Sequence, residues 1–195
     1  MDRQKIRKAF EMYGVDKIYH GYDYMYSGIL HDDITKLLEI GAYTGGSLAA
    51  WATLLPSAKI FGADIEKFNM MKGSENIPIV YGDSGSPGFA DNFDKDFDII
   101  IDDGNHSPDS QWATFLNFEN SWIDYYVIED IVAPEREAVL RRRFEARGYK
   151  SVQTFPSLRQ NYTFDANNKD WTNVGRNGKK GEVIQINFCA LLITR

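Results

Sequence analysis

The chain has 195 residues, of which 43% are hydrophobic and 26% charged. This length and composition predict one globular domain with a sizeable buried core. The formal net charge of −6 and the sequence pI near 5.1 argue against a nucleic-acid backbone or an anionic membrane as the main partner, because neither would meet a net positive surface. A small molecule or a neutral polymer suits the composition better.

The first ten residues, MDRQKIRKAF, carry charges throughout and lack the apolar core of a signal peptide. No later segment has the length and hydrophobicity of a membrane span. The single Cys189 excludes an internal disulfide and permits a reducing compartment. We therefore expect a cytoplasmic protein without a membrane partner, and a homo-oligomer remains open.

The amino-terminal region predicts a short helix over residues 4–13, with Ile6, Phe10 and Tyr13 on one side. The next segment, DKIYHGYDYMYSGIL, crowds tyrosines and a histidine between glycines and predicts a loop. Such a loop either covers one end of the sheet or closes over a cofactor. Tyr22 and Tyr26 are the candidates for the second role.

A glycine-rich turn follows the first predicted strand in KLLEIGAYTGGS, residues 36–47. The free N–H groups of such a turn and the helix dipole behind it attract nucleotide ligands. The spacing Glu39-x-Gly41-x-x-x-Gly45 differs from the dinucleotide fingerprint and resembles the first motif of the class I S-adenosylmethionine (AdoMet) methyltransferases. A nicotinamide-binding turn is the alternative. Ser47 is expected to cap the helix, and the resemblance adds Glu39, Gly41 and Ser47 to the expected cofactor contacts.

Two further predicted strands end in acidic residues. KIFGAD ends in Asp64, about twenty residues beyond the turn, where dehydrogenases and methyltransferases both use an acid to accept hydrogen bonds from ribose. IPIVYGDS ends near Asp83, and the resemblance implies a contact with the adenine edge there. The simpler interpretation of Asp83 is a cap on a helix that begins near Pro87.

Two acidic pairs follow the fourth and fifth predicted strands. Asp102 and Asp103 end FDIIIDD, and Glu129 and Asp130 end YYVIED. If these strands are neighbours in a parallel sheet, both pairs can converge on one hard divalent cation. Ligands that are all oxygen favour Mg²⁺ or Mn²⁺ over zinc.

A closer resemblance rests on the series DKIYHGY, LEIGAYTGGS, ADIE, IDDGNH and VIEDI, over roughly residues 16–131. The series resembles the metal-dependent sugar O-methyltransferases of macrolide biosynthesis and is similar to the cephalosporin hydroxylase-like group. The resemblance implies that Asp102 or Asp103, together with Glu129 and Asp130, holds Mg²⁺. It also implies that His106 is the general base, with Asp102 as a further catalytic and cofactor-contacting residue.

The chain departs from these families at two places. The macrolide enzymes carry an extra amino-terminal domain that has no counterpart in this sequence. The resemblance therefore does not identify the acceptor or the assembly. The usual Pro-Gly-Gly before the fifth strand is replaced by SWIDY, from which we expect only a changed turn.

The expected chemistry follows from the acceptor. A sugar hydroxyl is a poor nucleophile because its pKa lies far above neutrality, so its proton must be removed for methyl transfer. His106, titrating near neutrality, can take that proton, and a divalent cation beside the hydroxyl would lower its pKa. The competing interpretation is that His106 only caps or orients the next helix, which begins with Ser107 and Pro108.

The remaining chain completes the sheet. A helix beginning at Pro134 carries an arginine run that is expected to be a solvated face, and YKSVQTF and VIQINFCALLITR are the last two predicted strands. Residues 156–182 between them are interpreted either as a substrate loop or as a hairpin tip without a function.

We predict a Rossmann-like α/β class I methyltransferase fold with a seven-stranded, mostly parallel sheet and helices on both faces, and the resemblance implies that the last strand is antiparallel. One domain is expected over residues 1–195: the amino-terminal helix and cofactor-covering loop (1–33), the nucleotide-binding core (34–155) and the substrate loop (156–182). The expected function is AdoMet- and Mg²⁺-dependent methylation of a sugar hydroxyl in a glycan or a deoxysugar. The alternatives are methylation of a catechol-like or other small-molecule hydroxyl, and a non-catalytic nucleotide-binding module.

Overall fold

The computed structural model describes residues 1–160, 162–165, 170–173 and 187–194. The helices are α1 (Arg3–Met12), α2 (Lys17–His20), α3 (Tyr22–Ile29), α4 (Gly46–Leu54), α5 (Pro108–Phe118) and α6 (Pro134–Ala146), with a 3-10 helix over Phe89–Asn92. The strands are β1 (Lys36–Ile40), β2 (Lys59–Asp64), β3 (Ile79–Tyr81), β4 (Phe97–Asp102), β5 (Trp122–Val132), β6 (Ser151–Gln160), β7 (Tyr162–Asp165), β8 (Asp170–Asn173) and β9 (Asn187–Thr194).

The main sheet has seven strands in the order β3-β2-β1-β4-β5-β9-β6. Strands β3, β2, β1, β4 and β5 pair in parallel, and β9 runs antiparallel to both β5 and β6. The predicted fold class is therefore confirmed. β7 and β8 form a separate antiparallel hairpin, and the predicted substrate contacts of residues 156–182 fall largely outside the described residues.

Helices cover both faces of the sheet, as predicted. On one face, Phe10 of α1 and Trp51 of α4 meet edge to face with ring centroids 5.1 Å apart. On the other face, Phe115 of α5 and Phe144 of α6 meet at 4.6 Å. Because successive side chains of a strand point to opposite faces, a parallel sheet buried on both sides reads as a continuous apolar run. The loops at the carboxyl ends of the strands are then the place for a ligand.

The segment predicted as an aromatic loop is helical. Gly21, at φ +74°, ends α2 and begins α3. Four buried side chains of α3 recur at i, i+3, i+4 and i+7: Tyr22, Met25, Tyr26 and Ile29. This spacing is that of one helix face, so the loop prediction was wrong because it weighed the glycines and tyrosines above their periodicity.

Three local predictions also need correction. The amino-terminal cap of α4 is Gly45, at φ +81°, and Ser47 instead donates a hydrogen bond to Glu39. The helix expected near Pro87 is the short 3-10 helix capped by Gly88, at φ +80°, and so Asp83 does not cap it. SWIDY is not only a changed turn, because Trp122 already belongs to β5 and pairs with Phe97.

Two arginines of α6 make hydrogen bonds or ion pairs with other residues of the fold. Arg141 donates hydrogen bonds to Glu137 at 2.7 Å and to the carbonyl of Val152 at 2.7 Å. Arg143 pairs with Asp109 of α5 at 2.6 Å. The prediction of a purely solvated face was therefore wrong for these two side chains, which tie α6 to its neighbours in the fold. Within the described part of the chain, no helix combines the length and the apolar character needed to cross a membrane.

Candidate active site

A cavity of about 590 Å³ opens at the carboxyl ends of the parallel strands. Its lining includes Gly41 after β1, Asp64 at the end of β2, Asp83 after β3, and Asp103 and His106 after β4. The volume is within the range typical of small-molecule sites. The structure thus brings together at one cavity three of the predicted cofactor contacts and two of the residues predicted for chemistry.

The glycine turn after β1 is pressed against the turn after β4. Gly41 has φ +91°, and a Cβ added there would lie 2.2 Å from the carbonyl oxygen of Asp103. The amide of Asp103 also donates to the carbonyl of Ile40 at 2.9 Å. Only glycine fits such an approach, so the predicted cofactor turn and the acidic turn are in direct backbone contact.

Asp64 and Asp83 are both fixed by backbone amides. Asp64 accepts hydrogen bonds from the amide of Tyr43 at 2.6 Å and from the amide of Glu66 at 2.9 Å. Asp83 accepts from the amide of Gly85 at 2.9 Å. A carboxylate oxygen has a second lone pair after one such bond, so both side chains are oriented and still able to accept from a ligand.

An aromatic pair at the cavity was missed by the sequence analysis. The rings of Tyr43 and Phe68 have centroids 4.7 Å apart at an interplanar angle of 64°, and both residues line the cavity. Tyr43 is 64% exposed and has φ +47°. An exposed aromatic residue with left-handed backbone, directly inside a glycine turn, offers a flat apolar surface to a planar ligand.

A buried lysine lies among the carboxylates behind the cavity. We call Glu39, Asp102, Asp103, Glu129 and Asp130 the acidic cluster. Lys17 of α2 donates to Asp103 and to Glu129 at 2.6 Å each, and its Nζ is 3.2 Å from Glu39. Desolvation lowers the pKa of Lys17, but the attraction of these carboxylates outweighs it and raises the pKa well above the usual range. The group is therefore an ammonium ion.

The sequence signal for Lys17 was present in the motif DKIYHGY, but the sequence analysis gave this residue no role. Lys17 contacts carboxylates that lie in or directly after three different strands, because the fold places α2 over the carboxyl ends of those strands. Sequence spacing alone does not reveal that placement.

Tyr22 and Tyr26 contact the acidic cluster. The Tyr22 hydroxyl donates to Asp130 at 2.9 Å, and the Tyr26 hydroxyl donates to Glu129. Both tyrosines are buried, and neither is among the residues that line the cavity. His20 Nδ1 lies 3.2 Å from the same Asp130 oxygen. The predicted AdoMet contacts of these tyrosines stay a prediction, and their observed contacts are with predicted metal ligands.

Asp102 and Asp103 occupy different environments. Asp102 is 1% exposed, and burial raises the pKa of its carboxyl to about 8. Its Oδ1 accepts from the amide of Gly104 at 3.3 Å. Asp103 lines the cavity, whereas Asp102 does not. Of the two, Asp103 is placed to bind a ligand, and Asp102 is placed to hold the turn.

The residues that could hold a metal ion in the described part of the chain are Asp103, His106 and Asp130. One ligand atom from each lies within 4.8 Å of the others. The two carboxylates are ligands that Mg²⁺ and Mn²⁺ prefer, whereas an imidazole nitrogen is more typical of zinc or iron sites. His106 Nδ1 is buried and has no hydrogen-bond partner within the described ranges. The geometry thus groups His106 with the carboxylates, whereas the sequence analysis treated it as a base beside four acidic ligands.

The fifth strand was predicted to end at Glu129 and Asp130, but it continues beyond them. β5 continues to Val132, and its pairing with β9 shifts register between Ile128 and Ile131. Asp130 lies in this irregularity with φ +51°. A bulge re-aims side chains and often occurs beside an active site. Here it places Glu129 against Lys17 and Asp130 beside His106.

The sequence was also compared with known proteins, and no family model matches it. It is 30% identical over 121 residues to the 8-demethyl-8-(2-methoxy-alpha-L-rhamnosyl)-tetracenomycin-C 3'-O-methyltransferase of Streptomyces olivaceus, a match that covers 56% of this chain and 31% of the relative. The chain therefore spans about a third of the length of this curated relative.

Solved structures that are similar to this chain are also methyltransferases. MycE methyltransferase from the mycinamycin biosynthetic pathway, in complex with Mg, SAH and mycinamycin VI, aligns with TM-score 0.57 and 27% identity over 65% of this chain and 37% of MycE. A SAM-dependent methyltransferase from Archaeoglobus fulgidus aligns with TM-score 0.57 and 14% identity over 92% of this chain and 94% of its own. The chain has the class I methyltransferase fold.

Within the class I methyltransferase fold, two predicted cofactor residues lie beneath the turn. Glu39 is fully buried and accepts hydrogen bonds from Ser47 at 2.5 Å and from the Trp51 indole at 3.2 Å. Neither Glu39 nor Ser47 lines the cavity. Their position supports the backbone of the turn from below.

Proposed function

We propose that this chain is an AdoMet-dependent O-methyltransferase that uses Mg²⁺ or Mn²⁺ and acts on a sugar hydroxyl of a glycan or a deoxysugar. One observation carries the proposal: a single cavity is lined by Gly41, Asp64 and Asp83 on one side and by Asp103 and His106 on the other. Methyl transfer to a hydroxyl needs a nucleoside site and an acid–base site within reach of one another. The O-methyltransferase and MycE similarities support the same reaction class.

Several residues of the cavity would hold AdoMet. Asp64 would accept hydrogen bonds from the ribose hydroxyls, because its carboxylate is already oriented by two amides. Gly41 would lie beneath the methionine part, and Asp83 would face the adenine edge. Tyr43 and Phe68 would cover the flat base.

Asp103 and Asp130 are the residues we assign to the cation, with Glu129 next to them and paired to Lys17. A divalent ion, when bound, supplies positive charge that lowers the pKa of a nearby hydroxyl. The ion pair of Lys17 with Asp103 and the hydrogen bond from Tyr22 to Asp130 orient the two carboxylates.

His106 would take the proton of the acceptor. It lines the cavity, and its Nδ1 lacks a hydrogen-bond partner within the described residues, so the imidazole is able to receive a proton. Histidine is the side chain that most often serves as a general base. The nearby carboxylate of Asp130 would stabilise the imidazolium that results.

The names of two similar proteins support a sugar acceptor. The Streptomyces olivaceus relative is a 3'-O-methyltransferase of a rhamnosyl-tetracenomycin, and MycE was solved in complex with mycinamycin VI. Because the chain spans only part of each protein, the acceptor is taken from them as a class and not as a compound.

The test uses labelled AdoMet with a panel of deoxysugar glycosides and catechols. We expect methyl transfer to a glycoside hydroxyl in Mg²⁺ or Mn²⁺, loss of turnover in excess EDTA, and recovery when the ion is returned. SAH binding, measured by calorimetry, should persist in EDTA because Gly41, Asp64 and Asp83 do not belong to the cation site. Full turnover in EDTA would contradict the metal, and transfer to catechols alone would contradict the sugar.

A further inference from the structure

Lys17 occupies an unusual position for a lysine. Its side chain is 2% exposed, although lysine is almost never fully buried unless it is paired. Its partners Glu39, Asp103 and Glu129 follow or belong to β1, β4 and β5 respectively. A helix of the amino-terminal region thus inserts a positive charge between three neighbouring strands.

The carboxylates around Lys17 need that charge. Glu39 and Glu129 are 0% and 1% exposed, and burial disfavours their ionised forms. Burial raises the pKa of Glu39, while the attraction of Lys17 lowers it. Removing one partner of a buried ion pair leaves the other charge uncompensated, which is strongly destabilising.

Asp103 belongs to two groups at once. It pairs with Lys17 at 2.6 Å, and it also supplies one of the three ligand atoms grouped with His106 and Asp130. Any cation held by Asp103 therefore approaches a carboxylate that already has a positive partner. Like charges repel through the low-dielectric interior more strongly than through water.

We propose that Lys17 is a built-in counter-cation of the metal site. It keeps Asp103 and Glu129 neutralised and in place when no divalent ion is bound. It also weakens the affinity for that ion, so that the ion exchanges readily with the solvent. This positioning role rests on the metal-dependent function proposed above.

The test compares the wild-type protein with Lys17→Met, which keeps the length of the side chain and removes its charge. Mn²⁺ affinity is measured by calorimetry on protein stripped with EDTA. We expect Lys17→Met to bind Mn²⁺ at least about ten-fold more tightly, because one nearby positive charge is gone. We also expect a lower melting temperature without metal and a larger rise on adding Mn²⁺. Lys8→Met, at an exposed position of α1, is the matched control and should behave as the wild type.

A second variant covers the case in which Lys17→Met does not fold without metal. Lys17→Met combined with Glu129→Gln removes one positive and one negative charge, so the net charge of the region is that of the wild type. This double variant should fold in EDTA and melt at a higher temperature than Lys17→Met. Failure of the double variant to fold with or without Mn²⁺ would overturn the charge-balancing role.

Two outcomes separate this inference from the proposed function. If Mn²⁺ binds the wild type and a folded Lys17→Met with equal affinity, or binds the variant more weakly, the role of Lys17 is wrong and the metal site stands. If neither protein binds Mn²⁺ while SAH still binds, the metal part of the proposed function fails, and the inference fails with it.

Discussion

The two sides of the cavity are held by different kinds of contact. On the cofactor side, Asp64 is oriented by the amides of Tyr43 and Glu66, which are 21 and 2 positions away in the chain. On the acidic side, Asp130 is oriented by Tyr22, 108 positions away, and Glu129 pairs with Lys17, 112 positions away. The cofactor side is thus held mainly by backbone amides at shorter chain separations, and the acidic side by side chains of α2 and α3 packed across the sheet.

The two sides also differ in their electrostatics. Glu39, Asp102 and Glu129 are almost completely buried, and burial raises the pKa of Asp102 to about 8. Asp64, by contrast, lines an open cavity. Changes on the acidic side should therefore alter metal binding and the proton transfer, whereas changes on the cofactor side should alter nucleoside binding.

The largest expected effect is that of His106→Ala. Without the imidazole the acceptor proton has no base, so kcat should fall by about 10²–10⁴-fold. SAH affinity should be unchanged, because the cofactor side keeps its local contacts. Single-turnover kinetics together with calorimetry measure both quantities. An enzyme with full activity would return His106 to a structural role at the start of α5.

Asp64→Ala should act on the other side alone. Loss of a charge-assisted hydrogen bond costs roughly 1.5–3 kcal/mol, so SAH affinity should fall by about 10- to 100-fold. The Mn²⁺ affinity should stay close to that of the wild type, whereas the melting temperature without ligand should fall, because the amides of Tyr43 and Glu66 lose their acceptor. Unchanged SAH affinity, or tight NAD binding by the wild type, would remove the nucleoside assignment.

Tyr22→Phe tests the long-range support of the acidic side. The variant keeps the buried ring and removes the hydrogen bond to Asp130. Partners behind metal ligands typically contribute 10–100-fold to metal affinity, and since His20 still lies beside Asp130, we expect a loss of about ten-fold at the lower end of that range. Calorimetry with Mn²⁺ checks this, and Tyr24→Phe, an exposed position on the same helix, is the control. A fall in SAH affinity of similar size would contradict the separation of the two sides.

The smallest expected effect concerns a reference carboxylate, Asp98, at the amino-terminal end of β4 and so at the other end of the strand from the cavity. Asp98 accepts hydrogen bonds from the amides of Thr35 and Lys36 at 2.6 and 2.9 Å. Burial acts to raise its pKa, but these bonds outweigh burial and lower the pKa below the ordinary 3.8. A lowered folded-state pKa contributes stability that is present above the unfolded-state pKa and is lost as the pH falls through the folded-state value.

Asp98→Asn should therefore lower the urea midpoint slightly at pH 7. The difference from the wild type should shrink as the pH falls from about 5 to about 3, because the wild-type carboxylate becomes protonated. Denaturation curves at several pH values in EDTA measure this. A difference that does not change with pH would mean that the charge of Asp98 contributes nothing.

The same contrast explains what the sequence could predict. The strand KLLEI, the turn at Gly41, and Asp64 and Asp83 at the ends of their strands depend on neighbours in the chain, and each lies where it was expected. The hydrophobic runs predicted the last strand, and its antiparallel direction was implied by the resemblance. Periodicity and turn residues carry the information about single elements because each element is written in a short stretch of sequence.

For the acidic side, the sequence predicted which acidic residues would come together but not what would surround them. Asp103 and Asp130 do converge, but Lys17 and the burial of Asp102 were not foreseen. Both depend on how α2 and α3 pack across the sheet, and a single sequence without spatial information contains no spacing rule for contacts of this separation. The aromatic segment was misjudged for a different reason, because its tyrosines were interpreted as a covering loop although their spacing is that of one helix face.

The close approach of Gly41 to the carbonyl of Asp103 has a mechanical consequence. With 2.2 Å between that oxygen and the point where a Cβ would lie, neither turn has free space in the direction of the other. A ligand that displaces the first turn toward the second therefore displaces Asp103 as well. A side chain at position 41 would likewise disturb both turns at once, the one assigned to the cofactor and the one that carries Asp103.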